Sequence, residues 1–275
     1  MSGIVTMNNM KSEYSSLSDL VDGLQRQARY SFTVKLVAAQ LNLSVEALGR
    51  ALRRLRGDGR IQRIRNAFYT IVPLEHAAAG NIPTDWFIAD LMRFLGLPYY
   101  VGGLTAAAFH GAAHQQPQEF QVVVPVAKRL IRTGKTRIRF LRYAQVGRAK
   151  TQPLKSFTGT FPISTSEYTA LDLVRFQKRI GGLDAVMTVL AELGNKLAVP
   201  ALRQAIRREP VVAHVQRLGW LLEQTRFPIL AKEVAALIDR RNPSVASLNG
   251  AIRSRKGPVD RKWRLILNDQ PEGEL

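Results

Sequence analysis

Apolar residues recur at helical spacing three times in the first sixty positions. They fall at Leu17, Leu20, Val21 and Leu24, then within Thr33–Leu41, then at Leu48, Leu52 and Leu55. At 100° per residue the last three lie within about 60° of one another and form one buried stripe, with Arg50, Arg53 and Arg54 turned the other way. Between the second and third helices, Ala38 is expected at a close helix crossing and Asn42 at a left-handed turn position. Ser44 is the expected N-cap of the third helix, with Glu46 favourable to its dipole in the first turn. Gly57-Asp58-Gly59 stops the helix, and two short alternating strands follow at Ile61–Ile64 and Ala67–Ile71 around Arg65-Asn66. This order predicts a helix-turn-helix with a β-wing. Leucines behind and arginines in front are what docking in a major groove requires, and Arg63 and Arg65 lie beside the wing tip. The plainer reading is a solvated arginine face and an ordinary hairpin.

Beyond residue 73 the pattern changes. Leu74–Pro83 reads as a linker, and a second domain is expected from Thr84 with a helix to Leu95. Gly102-Gly103 opens a short helix to His110. Strands are expected at 118–124 and 137–143, with shorter ones at 151–154 and 159–163. From Ser166 the spacing becomes helical, with Ser164, Thr165 and Ser166 as candidate caps. Helices follow over 183–193, 199–207, 211–223 and 230–239, with Pro200, Pro210 and Pro228 near three of the starts. Trp263–Leu267 reads as a returning strand, between a polar arm at 1–15 and a tail at 268–275. The expected fold class is α+β. A winged helix-turn-helix over 1–75 precedes a larger mixed α/β domain over 84–275, strand-rich and basic at about 118–163 and helical at about 166–240.

Charge sharpens this picture. The chain carries a net +19, which favours a polyanionic partner, double-stranded DNA first, and no membrane anchor stands out. Residues 120–166 hold ten Lys or Arg and no acid. A second basic surface is therefore expected at Lys128, Arg129, Arg132, Lys135, Arg137, Arg139 and Arg142, meeting DNA backbone or another acidic partner. The first surface comprises Thr33, Lys35, Ser44, Glu46, Arg50, Arg53, Arg54, Arg63 and Arg65. No cysteine is present, which excludes disulfides and thiolate chemistry. Without a secretory signal pattern at Met1–Asn9, a cytoplasmic location is expected.

Catalytic signatures are weak. His110 and His114 have metal-ligand spacing but sit at a helix end with no partner glutamate, and a structural histidine is the better reading. Thr133-Gly134-Lys135-Thr136 lacks the first glycine of a phosphate loop, and Gly102-Gly103 alone is a poor phosphate signal. No catalytic set, metal site or cofactor is expected, so the chain is not read as an enzyme.

The run from Tyr99 to Gly111, YYVGGLTAAAFHG, is followed by QPQEFQVVVP over 116–125 and ISTSEYTALDL over 163–173. Together they resemble the AbiEi family of antitoxins, and the winged-helix domain ahead of them matches that family's domain order. The resemblance implies an antitoxin of a type IV toxin–antitoxin, or abortive infection, system. Such a protein represses its own operon through promoter inverted repeats, while its C-terminal domain counters a nucleotidyltransferase toxin of AbiEii type. In type IV systems a stable complex with the toxin is not required. The alternative is a one-component regulator whose C-terminal domain senses a small ligand in a pocket of Trp86, Tyr99 and Tyr100.

Overall fold

The computed structural model describes residues 14–112, 117–254 and 256–272. Most of the expected polar arm, His114 and the end of the expected tail lie outside these residues. Two compact units divide the chain. The first is residues 1–96 with the excursions Ile131–Thr136 and Lys155–Thr160, and the second is the remainder. Thus 84–95, where the sequence pattern opens a second domain, is grouped by compactness with the first unit.

The first unit begins with α1 (Leu17–Arg26), capped by Ser16, whose hydroxyl accepts from the Asp19 amide. Strand β1 (Ser31–Thr33) leads into α2 (Val34–Gln40), where the Thr33 hydroxyl caps by accepting from the Leu36 amide. After a turn comes α3 (Val45–Gly57), then β2 (Ile61–Arg65) and β3 (Phe68–Ile71). The three strands form an antiparallel sheet in the order β1-β3-β2. Two details differ from expectation. Ala38 is exposed, and Val37 supplies the buried contact of α2. Asn42 is not among the positive-φ residues, because the turn leaves α2 through an extended Leu41, at φ −121°. A helix can end without a left-handed residue when the next residue turns straight to β geometry. The expected single helix over 84–95 is a 3-10 turn (Thr84–Trp86) followed by α4 (Ile88–Leu95), tied to β1 by a 2.6 Å bond from the Ser31 hydroxyl to Asp90.

The second unit carries β4 (Tyr100–Val101), α5 (Gly103–Phe109) and β5 (Phe120–Val124). Next come β6 (Ile131–Thr133), β7 (Thr136–Arg142), β8 (Thr151–Ser156) and β9 (Gly159–Ser164). These strands make a mixed sheet in the order β6-β7-β5-β4-β9-β8, the two hairpin tips being the excursions counted in the first unit. Helices α6 (Ser166–Arg175), α7 (Gly182–Leu193), α8 (Val199–Arg208), α9 (Val212–Gln224) and α10 (Pro228–Arg241) supply most of the core. Thr165 is the cap residue of α6 but makes no side-chain cap bond. Short strands β10 (Ala246–Ser247), β11 (Val259–Asp260) and β12 (Leu265–Ile266) close the chain in a small sheet of their own.

Trp263 explains how that last sheet is held. Its ring is fully buried and its indole N–H donates to Glu223 of α9. The ring lies so close to α9 that a Cβ on Gly219 would come within 2.0 Å of it. Gly219→Ala should therefore force overpacking and lower unfolding stability by about 1–3 kcal/mol, read as a lower urea midpoint; an unchanged midpoint would refute this packing role.

A polar cluster is buried among the apolar side chains of the second unit. Arg175 bridges Asp172 and Glu209, with side-chain exposures of 6%, 0% and 1%. The Tyr100 hydroxyl donates to Asp172 at 3.0 Å, His214 Nδ1 lies 3.0 Å from Glu209, and the Arg175 guanidinium sits 4.0 Å over the Tyr143 ring. Burial pushes the Asp172 carboxyl up to about 6, against the opposing pull of Arg175 and Tyr100. At Glu209 burial also raises the carboxyl, but the His214 hydrogen bond and the Arg175 charge outweigh it and leave it below its ordinary value.

Gly102 and Gly103 abut this cluster. A Cβ on Gly102 would meet Asp172 Oδ2 at 2.7 Å, and one on Gly103, at φ +59°, would meet Gln121 Oε1 at 2.2 Å. The Leu104 amide donates to that same Gln121 oxygen. The glycines are needed for close packing, and protein side chains occupy the space a phosphate would take. His110 is similarly structural, its Nε2–H donating to the Ser164 carbonyl at 2.8 Å.

Candidate nucleic-acid interface

The α3 helix is built to show one face. Leu48, Leu52 and Leu55 are buried, while Arg50, Arg53, Arg54 and Arg56 are exposed. The Ser44 hydroxyl accepts from the Ala47 amide at 3.2 Å, fixing the start of the helix. The Glu46 backbone amide and the Ser44 hydroxyl hold the Glu46 carboxyl below its ordinary range. Lys35, Ser44 and Glu46 are exposed, whereas Thr33 is half-buried and its hydroxyl is engaged in capping α2.

The strands carry the arginine face onward. Arg63 and Arg65 are both exposed, with Ile64 buried between them and a register irregularity in the pairing to β3. The Asn66 side chain accepts from the Arg63 guanidinium at 3.0 Å, and Ala67 takes a positive φ of 61° to close the turn. Arg60 pairs with Asp22 and so ties the base of β2 to α1.

Within the same unit, the excursion Ile131–Thr136 lies against β2. The Gln62 amide group donates to the Thr133 carbonyl and the Thr133 hydroxyl donates to the Arg63 carbonyl, both at 3.1 Å. A cleft of about 570 Å³ opens here, lined by Arg53, Arg56, Gln62, Arg63 and Thr133. Several guanidinium groups around one concavity offer a phosphate the forked, charge-assisted bonds it takes best. Arg56, Gln62 and Thr133 were not candidates on sequence. Arg56 falls on the flank of the arginine arc, and no local pattern announces that a distant hairpin tip will meet β2.

The second expected basic surface divides. Arg132 and Lys135 ride on the first-unit excursion, whereas Lys128, Arg129, Arg137, Arg139 and Arg142 belong to the second unit. Of these, Arg139 is paired with Glu119, and Lys128, Arg139 and Arg142 line a separate cleft in that unit. Two of the three expected ligand-pocket aromatics are used otherwise. Trp86 packs against Tyr30 and Phe157 in the first unit, and Tyr100 is wholly buried in the second. No group of three or more His, Asp or Glu suited to a metal occurs among the described residues. No helix of those residues is long and apolar enough to cross a membrane.

Fold and surface together define an α+β protein that joins an exposed arginine-faced helix and hairpin to a larger mixed sheet-and-helix unit. Residues 100–224 match the family model described as the AbiEi antitoxin C-terminal domain. Among solved structures, the crystal structure of the RV2827C protein from Mycobacterium tuberculosis is similar over 94% of this chain and 91% of that one. Its TM-score is 0.64 and its identity 18%, a likeness of fold. The solution structure of the antibiotic-resistance factor ANT(2'')-Ia matches 56% of this chain and 89% of its own, at 11% identity and a TM-score of 0.26, too slight to bear on the fold. No curated protein sequence matches significantly.

Proposed function

We propose that the chain is the antitoxin of a type IV toxin–antitoxin system and a repressor of its own operon. Its first unit acts as a winged helix-turn-helix on promoter inverted repeats, and its C-terminal domain counters a nucleotidyltransferase toxin of AbiEii type. The family match over residues 100–224 supports the antitoxin role, and no enzymatic step is assigned. The observation that carries the DNA role is the division of α3 into a buried leucine stripe and an exposed arginine face. In a major groove that face directs Arg50 from its centre, with Arg54 on the side away from the cleft, toward base edges, while Arg53 and Arg56, on the side lining the cleft with Arg63, meet phosphate.

Arg50→Ala tests the assignment directly. In competition gel shifts with the protein's own upstream DNA, the variant should lose about 1–3 kcal/mol of preference for that DNA over random duplex. Selectivity equal to the parent's would remove Arg50 from base readout. Growth of cells expressing the toxin, with and without the antitoxin, tests the second half of the reading.

A further inference from the structure

The second unit holds a cleft of about 770 Å³ that the DNA reading does not use. Its lining includes Lys128, Arg142, Lys178, Arg179 and Arg217, and no carboxylate among the described residues pairs with any of the five. The acids that reach this region are already engaged. Glu119 holds Arg139, and Asp172 and Glu209 hold Arg175, with His214 also on Glu209.

Arg217 is the telling member. It is half-buried on α9, its Nε donates to the Ser247 carbonyl at 3.0 Å, and burial holds its guanidinium below the usual arginine value. A partly desolvated guanidinium without a counter-ion is costly unless an anion completes it. Lys178 and Arg179 sit exposed on the 3-10 turn after α6, and Lys128 and Arg142 come from the segments after β5 and at the end of β7. Cations from separate segments thus converge on one concavity. Beside them the wall is apolar, with Leu130 and the half-buried ring of Phe140.

We propose that this cleft binds a nucleoside triphosphate. The phosphate chain lies along Arg142, Lys178, Arg179 and Arg217, and the base rests against Phe140 and Leu130. The volume is that of a site enclosing one small ligand, and a cluster of unpaired cations next to an apolar wall suits a molecule with a polyanionic end and a flat apolar end. This site is independent of the α3 surface, so either reading stands or fails alone.

The test titrates full-length protein with ATP and GTP, reading thermal shift and calorimetric binding, with AMP, inorganic triphosphate and a twelve-nucleotide oligothymidylate as comparisons. A nucleoside triphosphate should bind saturably and at least about tenfold more tightly than AMP. The surface double variant Lys178→Ala/Arg179→Ala should weaken it at least about tenfold while leaving the affinity for upstream DNA within about twofold. Arg217→Met should do the same if its melting profile matches the parent's. Absence of saturable binding at millimolar ATP or GTP, or binding untouched by Lys178→Ala/Arg179→Ala, would overturn the proposal. So would inorganic triphosphate binding as tightly as ATP, since the nucleoside would then go unread. Oligothymidylate binding more tightly, with the same sensitivity to the variants, would make the cleft a path for a nucleic-acid strand instead.

Discussion

Arg175→Met is expected to cost the second unit about 3–5 kcal/mol of stability at neutral pH, measured by urea unfolding. The size of the effect follows from what remains. Asp172 and Glu209 are at most 1% exposed, and without the guanidinium two carboxylates remain in the core with neutral or weakly basic donors such as Tyr100, His214 and the Val211 backbone amide in place of a fixed cation. Met matches the length of the stem and leaves the apolar contacts largely intact, so the loss reads the charge and not a cavity. A loss below about 1 kcal/mol would show that water reaches the cluster freely.

The dependence on pH has a definite sign in the parent protein. Asp172 is raised from 3.8 to about 6, so the folded state holds its proton more tightly than the unfolded chain. Its stabilisation is full below about 4 and is lost as pH rises toward about 6, to a total of about 3 kcal/mol. Glu209 is lowered from 4.5 and acts the other way, contributing stability above that value that disappears as pH falls through its folded value. Asp172→Asn should abolish the decline between about pH 4 and 6 and leave the acid-side rise. Persistence of the decline would place its origin in another group.

The sequence made the arginine-faced helix and its hairpin legible because both depend on local periodicity. Leu48, Leu52 and Leu55 can be assigned to one face without knowing what they touch, and Ser44 declares itself as a cap by type and place. The strand segments of the second unit were legible for the same reason, but their pairing was not, since β4 joins β5 on one side and β9 on the other across long separations. The acid-free run 120–166 was visible as composition, yet composition carries no direction. Arg132 follows a hairpin tip into the first unit, Arg139 is neutralised by Glu119, and Lys128 and Arg142 join Lys178, Arg179 and Arg217, cations from beyond the run. The buried cluster was hidden for a related reason. Asp172 and Arg175, three residues apart on α6, read as an ordinary helix pair until tertiary packing removes them from water.

The simultaneous change Arg53→Ala/Arg56→Ala/Arg63→Ala is expected to weaken upstream DNA and random duplex alike, on the order of a hundredfold at low salt. All three side chains line one cleft, between the flank of α3 and the outer edge of β2. If each neutralises one phosphate, the plot of log affinity against log salt should lose about three from its slope, because each contact releases roughly one counterion. Two outcomes separate the possible roles. A shallower slope with unchanged preference for the protein's own DNA assigns the cleft to the backbone, leaving base readout to the centre of the α3 face. Loss of preference without a change of slope would place these arginines on base edges and overturn the division of labour drawn along α3. The variant's stability is its own control, since all three residues are exposed and only Arg63 has a side-chain hydrogen bond of its own, to Asn66 on the same turn. A melting temperature within a few degrees of the parent's confines the loss to the interface.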